Sequence, residues 1–132
     1  MDRDDFDIWH EKKKYLHLKG KRPPYFSKGE IWWAHLGKNV SSEIAGKGRD
    51  FIRPILILQR VFGNACMAVP LTSKLKKGNY YFTFFDVKNN SQSALLTQIR
   101  YLDAKRLKYK FSKVSESVIK NVCNRLMSIL VK

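Results

Sequence analysis

Between Gly29 and Arg100 the chain is cut into short apolar runs by glycine, proline and asparagine, and this punctuation constrains the fold more than any other feature. Runs of about four to eight residues with strand-like patterning and turn formers at both ends read as β-strands, and several at close spacing read as a small barrel or sandwich. Glu30 to Leu36 (EIWWAHL) is the first, with Ile31, Trp33 and His35 on one face and both faces apolar enough to be buried. Pro54 opens the second, Ile55 to Val61, whose ILIL centre has no polar face. A Gly63-Asn64 turn leads to Cys66 to Leu71 (CMAVPL), where Pro70 suits a strand end because it has no amide to give to a ladder. Lys74 to Asn79 is a basic turn. Tyr80 to Phe85 (YYFTFF) is a fourth strand by its aromatic content, and after the Asn89-Asn90-Ser91 turn, Ala94 to Arg100 (ALLTQIR) is a fifth.

Helical signals flank these strands. Ser115 is a good N-cap, Glu116 suits a first turn, and Val118, Val122, Leu126 and Leu130 recur four residues apart, which predicts a closing amphipathic helix. Residues 4–18 pass from acidic to basic with Phe6, Trp9 and Leu16 along one stripe, predicting a short helix that Pro23 and Pro24 end. The chain thus divides into an extension, 1–28, and a body, 29–132, the latter mainly β with one helix packed across an opening or face of a strongly bent barrel or sandwich. Residues 37–49 (GKNVSSEIAGKGR) are polar and glycine-bearing, a connection long enough to suggest function.

Charge narrows the partners. The 132 residues hold 26 Lys+Arg and 11 Asp+Glu, a formal +15, and residues 31–132 carry 18 of the bases against 5 of the acids. A field of that sign on a compact body is the usual footprint of nucleic acid binding, with an acidic protein or anionic lipid as alternatives. Cys66 and Cys123 are too far apart and too few for a disulfide framework or a zinc site, so reduced thiols in a cytoplasmic setting are expected. Apolar runs such as Ile55 to Leu58 are far below the roughly 18 residues of a membrane span.

No HExxH, Walker, GxSxG or GxGxxG motif is present. The body's carboxylates, Glu43, Asp50, Asp86, Asp103 and Glu116, are too scattered to suggest a magnesium cage, so a catalyst acting on nucleic acid is expected to work without metal or cofactor. RNA permits this because its 2′-hydroxyl can attack the adjacent phosphorus. Three segments carry suitable groups: Ser42 and Glu43 in the long loop, Arg53 before Pro54, and Thr72 with Ser73 after Pro70. Arginine offers five donors in a fixed fork and a hydroxyl offers a neutral donor and acceptor. Each also has a bland reading, a surface arginine at a strand edge or a turn cap. His35 reads as packed beside Ile31 and Trp33, and the aromatics Trp32, Trp33 and YYFTFF read as core before base-stacking platform. Lys105, Arg106, Lys108, Lys110 and Lys113 form either a solvated face or a guide for RNA.

In order along the chain, GEIWWAHLG, SSEIAGKGRDFIRPILIL, VPLTSK and LLTQIRYLDAKRL resemble the MazF/PemK toxins, sequence-specific endoribonucleases of toxin-antitoxin systems. The resemblance implies an SH3-like (CcdB/MazF-like) barrel that forms a homodimer and binds single-stranded RNA along its groove. It also implies a cognate antitoxin protein that occupies that groove. By the same resemblance Arg53 is the principal catalytic residue and Thr72 assists the transition state, while Ser42 and Glu43 line the site. Gln98 and Arg100 match a Gln-Ile-Arg strand that contacts RNA or supports the fold. The chain departs from the family in having Glu43-Ile44 where Glu-Gln is common, with residues 45–52 before Arg53. FDIWHEKKK resembles the N-terminal extension of a longer-loop branch. Two other readings share the fold: a non-enzymatic poison of DNA gyrase, and a member that binds RNA without cutting it.

Overall fold

A computed structural model of the chain describes residues 25–37 and 52–131. The helix expected over 4–18 and the loop residues 38–49, with Ser42 and Glu43, lie outside them.

The sheet is built around β1 (Glu30–His35), which pairs antiparallel with β2 (Ile52–Val61) on one side and β7 (Leu107–Lys113) on the other. Gly29 sets the entry to β1: at φ +88° its N–H donates to the Ile57 carbonyl (2.8 Å) and its carbonyl accepts from Val114 N–H (2.9 Å). A side chain there would meet both an unfavourable backbone conformation and the Ile119 side chain, 3.5 Å from where its Cβ would stand. β2 turns into β3 (Ala65–Thr72) through Phe62, Gly63 and Asn64, with Phe62 and Gly63 both at positive φ.

β3 divides its second edge. Ala65 to Ala68 pair with β6 (Arg100–Asp103), and Leu71 and Thr72 pair with β5 (Ser91–Leu95). On that edge Pro70 lies between the two ladders, so its missing N–H interrupts neither; it sits inside the strand rather than at its end. β4 (Tyr81–Phe85) pairs with β5 and completes the order β4-β5-β3-β2-β1-β7, with β6 beside β3.

The expected barrel is corrected to a strongly bent open sheet. β4 and β7 meet through Val87 N–H on the Lys113 carbonyl (2.9 Å) and Lys88 Nζ on the Phe111 carbonyl (2.6 Å), not through a ladder. The Asp86 carboxylate explains why: it accepts from the amides of Lys88 (2.8 Å) and Asn90 (3.0 Å), and with Asn89 at φ 68° it turns the chain back before β4 can run along β7. The expected fifth strand is also two. β5 starts earlier, at Ser91, and a 3-10 turn at Leu96–Gln98, with buried Leu96 donating its N–H to the Tyr80 carbonyl (3.1 Å), redirects the chain into β6.

Two cores lie on opposite faces of β1 and β2. Ile31, Leu56 and Leu58 point to one, with Val69, Leu71, Phe84 and α1 (Glu116–Leu130). Trp32, Ala34, Ile55 and Ile57 point to the other, with Phe26, Cys66, Leu102 and Leu107. The ILIL run is therefore apolar on both sides because both sides are covered. Ser115 caps α1, its hydroxyl accepting from Val118 N–H (3.3 Å). The buried stripe is Ile119, Val122 and Leu126; Val118 is only partly buried, and Leu130 projects into solvent.

Candidate active site

Where β2 begins and β3 ends, the chain leaves a hollow of about 170 Å³ at the open end of the first core. Arg53 and Pro54 come from β2, Leu71, Thr72 and Ser73 from the end of β3, Trp33 from β1, Gln92 from β5 and Phe111 from β7. Antiparallel register is what gathers them: Trp33 faces Pro54, Ala34 faces Arg53, and Thr72 faces Ser93 beside Gln92.

Arg53 is half-buried, and Nη1 donates to the Leu71 carbonyl at 3.3 Å, which aims the guanidinium at the end of β3. Burial holds its pKa below the ordinary arginine value. The Thr72 hydroxyl accepts from Lys74 N–H at 3.2 Å, so Thr72 caps the turn and lines the hollow at once, and its own hydrogen can still be donated. The basic turn after Ser73 is anchored as well. Lys76 N–H donates to Ser93 Oγ (3.1 Å), which is 2.7 Å from Thr83 Oγ1. Trp33 forms the aromatic wall, its ring centroid 6.2 Å from that of Phe111 at a steep 73° and 6.2 Å from that of Tyr109 at a shallower 35°.

The structure thus brings Arg53, Thr72 and Ser73 to one place. Gln98 and Arg100 line a separate hollow of about 180 Å³ with Thr97 and Ile99. Near Arg100, burial lowers the Arg106 pKa, and the positive charge of Arg100 lowers it further against the opposing pull of Asp103. His35 is buried and faces Ile52 in the ladder. Trp32 is core, its indole N–H donating to Glu30 at 3.0 Å. Cys66 is buried, and burial pushes its thiol up to about 11, which makes it a poor nucleophile. Among the described residues no cluster of three or more His, Cys, Asp or Glu side chains gathers, and no helix is long and apolar enough to cross a membrane.

Gln92 is the polar residue of the hollow that sequence reasoning missed. Its signal is a polar residue two before Ala94 on the core-facing side of β5, masked because the apolar run that marks this strand in the sequence begins only at Ala94.

Residues 27–130 match the family model of the PemK-like, MazF-like toxin of type II toxin-antitoxin systems. The crystal structure of MazF (form I) from Deinococcus radiodurans superposes with a TM-score of 0.66 at 24% identity, over 85% of this chain and 100% of that one. The MazE-MazF complex (form II) of the same organism gives 0.60 at 21%, over 83% and 97%. An endoribonuclease from a mycobacterial species, solved with its cognate antitoxin, gives 0.62 at 14%, over 80% and 95%. These likenesses fix the fold.

Proposed function

Because the chain belongs to the PemK-like, MazF-like toxin family, we propose that it is a metal-independent, sequence-specific endoribonuclease that cuts single-stranded RNA in the cytoplasm. The observation that carries this reading is the shared hollow of Arg53 and Thr72, with the guanidinium held on the Leu71 carbonyl one residue from the hydroxyl.

These groups define the chemistry. The ribose 2′-oxygen attacks the adjacent phosphorus, the bond from phosphorus to the 5′-oxygen breaks, and the proton lost by the 2′-hydroxyl is gained overall by the 5′-oxygen. The products are a 2′,3′-cyclic phosphate and a 5′-hydroxyl. Arg53 presents a planar set of donors to the phosphoryl oxygens as negative charge builds there, and its partial burial strengthens that attraction and eases proton transfer through the guanidinium. Thr72 adds a neutral donor at the same phosphate. Ser73, with Ser42 and Glu43 from the loop, lines the substrate path, and Gln98 and Arg100 contact RNA further along. The protein acts as a homodimer, and a cognate antitoxin neutralises it by covering the cationic groove. Relatives of this fold have been solved as complexes with their antitoxins.

The test is incubation of purified protein with mixed-sequence RNA in EDTA. Cutting by the wild type, with new 5′-hydroxyl ends and a loss of at least about a hundredfold in Arg53→Ala, is the expected result. Equal cutting by Arg53→Ala overturns the assignment of Arg53. RNA that is retained on filters but left whole marks the binding-only reading.

A further inference from the structure

The described residues include five buried polar or charged side chains: His35, Asp86, Gln92, Ser93 and Ser112. Four have partners. Asp86 accepts from the turn amides, Ser93 bonds Thr83 and Lys76, Ser112 donates to the Lys113 carbonyl, and His35 is also engaged. Gln92 differs. It is 7% exposed, it lines the Arg53 hollow, and among the described residues no hydrogen bond reaches its side-chain amide.

Burying an amide with nothing to bond is costly, and a leucine of similar size would pack here without that penalty, against Ala94 and the first core. The fold therefore gives no reason for Gln92; a ligand does. The hollow is divided chemically. Its charged end is the Arg53 guanidinium beside the Thr72 hydroxyl, suited to phosphate, and its neutral end is the Gln92 amide near the rings of Trp33 and Phe111. An amide offers a donor next to an acceptor, the complement of a base edge, and unstacked bases in RNA are read by that combination of hydrogen bonds and aromatic walls.

We infer that Gln92 is a specificity residue, its side-chain amide hydrogen-bonding the edge of the nucleobase next to the scissile phosphate. The inference rests on the endoribonuclease reading for its substrate, and the two are separable by experiment. Gln92→Leu is expected to melt no lower than wild type, because it removes a buried polar group without a partner. Gln92→Met, unbranched and of similar length, is the second variant should leucine not fit. The ends of cuts are mapped in a randomised RNA pool, and base preference is measured by the affinities of four 2′-fluoro homo-octamers, which have no 2′-hydroxyl to attack.

The expected result is a preference for one base beside the cut that falls on the order of tenfold or more in both variants, the scale of a lost amide-to-base pairing. If wild type cuts and the variants keep its full preference, the inference is overturned while the endoribonuclease reading stands. If wild type cuts nothing, yet octamer preference depends on Gln92, the cleavage reading falls and base reading stands. If wild type neither cuts nor distinguishes the octamers, both fall.

Discussion

Partial burial acts on Arg53 and on Glu30 through the same cost, the loss of water around a charge, and their partners decide the net effect. Arg53 has its pKa lowered by that loss, which readies the group for an anion. For Glu30, burial alone raises the pKa, but bonds from the Trp32 indole (3.0 Å), the Ser27 amide (2.9 Å) and Lys110 (3.0 Å) outweigh it and leave the carboxyl below its ordinary value of 4.5. A carboxyl with a depressed folded-state pKa contributes stability that is present above the unfolded value and lost as pH falls through the folded one. Glu30→Gln is therefore expected to be less stable than wild type at pH 7 and to close that gap as the pH drops below about 4.5, read by urea unfolding across pH. Glu30→Ala, which also leaves the buried Trp32 N–H without its acceptor, is expected to cost about 1–3 kcal/mol at pH 7. A gap that stayed constant with pH would show that the carboxylate charge is not what matters there.

At the scale of elements, α1 tests how burial is distributed along a helix. Its sequence repeats apolar residues every four positions, but an α-helix turns in 3.6, so a strict i+4 series drifts off any one face. That drift carries Leu130 to 71% exposure while Val122 is fully buried and Ile119 replaces Val118 on the inner face. Val122→Ala is expected to cost about 1–3 kcal/mol, below the loss for larger core side chains, and Leu130→Ala within about 0.5; thermal melts of the two variants decide it, and equal effects would overturn the stripe. The same physics explains which elements are legible in the sequence. β1, β2, β3 and β4 announce themselves because apolar or aromatic runs bounded by Gly, Pro and Asn have few other uses. β7, LKYKFSK, does not: it is an edge strand with Lys108 and Lys110 in solvent, the charges that keep a sheet edge from pairing further, and such charges mask a strand pattern. β6 merges with β5 in the sequence pattern because the 3-10 turn between them carries neither Gly nor Pro. Of the site, Arg53, Thr72 and Ser73 are visible as polar residues at strand ends. Phe111 and Gln92 are not, and Trp33 is legible only as an aromatic of the first strand, since what brings them to the hollow is register across five strands, which local pattern does not contain.

For the whole molecule, the proposed endoribonuclease function asks which of its many cations would meet RNA. Lys110 is engaged with Glu30 and Lys88 with the Phe111 carbonyl, so both already have structural duties. Lys74, Lys76 and Lys77 differ: they are exposed, they lie in the turn that follows Thr72 and Ser73, and that turn is anchored at two of them, Lys74 N–H on Thr72 Oγ1 and the Lys76 backbone on Ser93 of β5 and Thr83 of β4. A strand of RNA whose scissile phosphate lies at Arg53 has this turn beside it, held in place before binding, so little ordering is lost on contact. Each phosphate neutralised on a single strand contributes about 0.7 to the slope of log K against log salt. Replacing the three lysines by glutamine is thus expected to weaken binding of uncleavable 2′-fluoro RNA for every base sequence and to make that slope shallower by about 2. The backbone bonds of the turn survive the substitution, and melting temperature is expected to change little. The measurement is fluorescence anisotropy over a range of KCl concentrations. An unchanged slope would move the RNA track off this turn, toward the Arg100 and Arg106 side of β3, without touching the assignment of the hollow. A slope reduced together with altered base preference would mean that the turn and the Gln92 end of the hollow act as one surface.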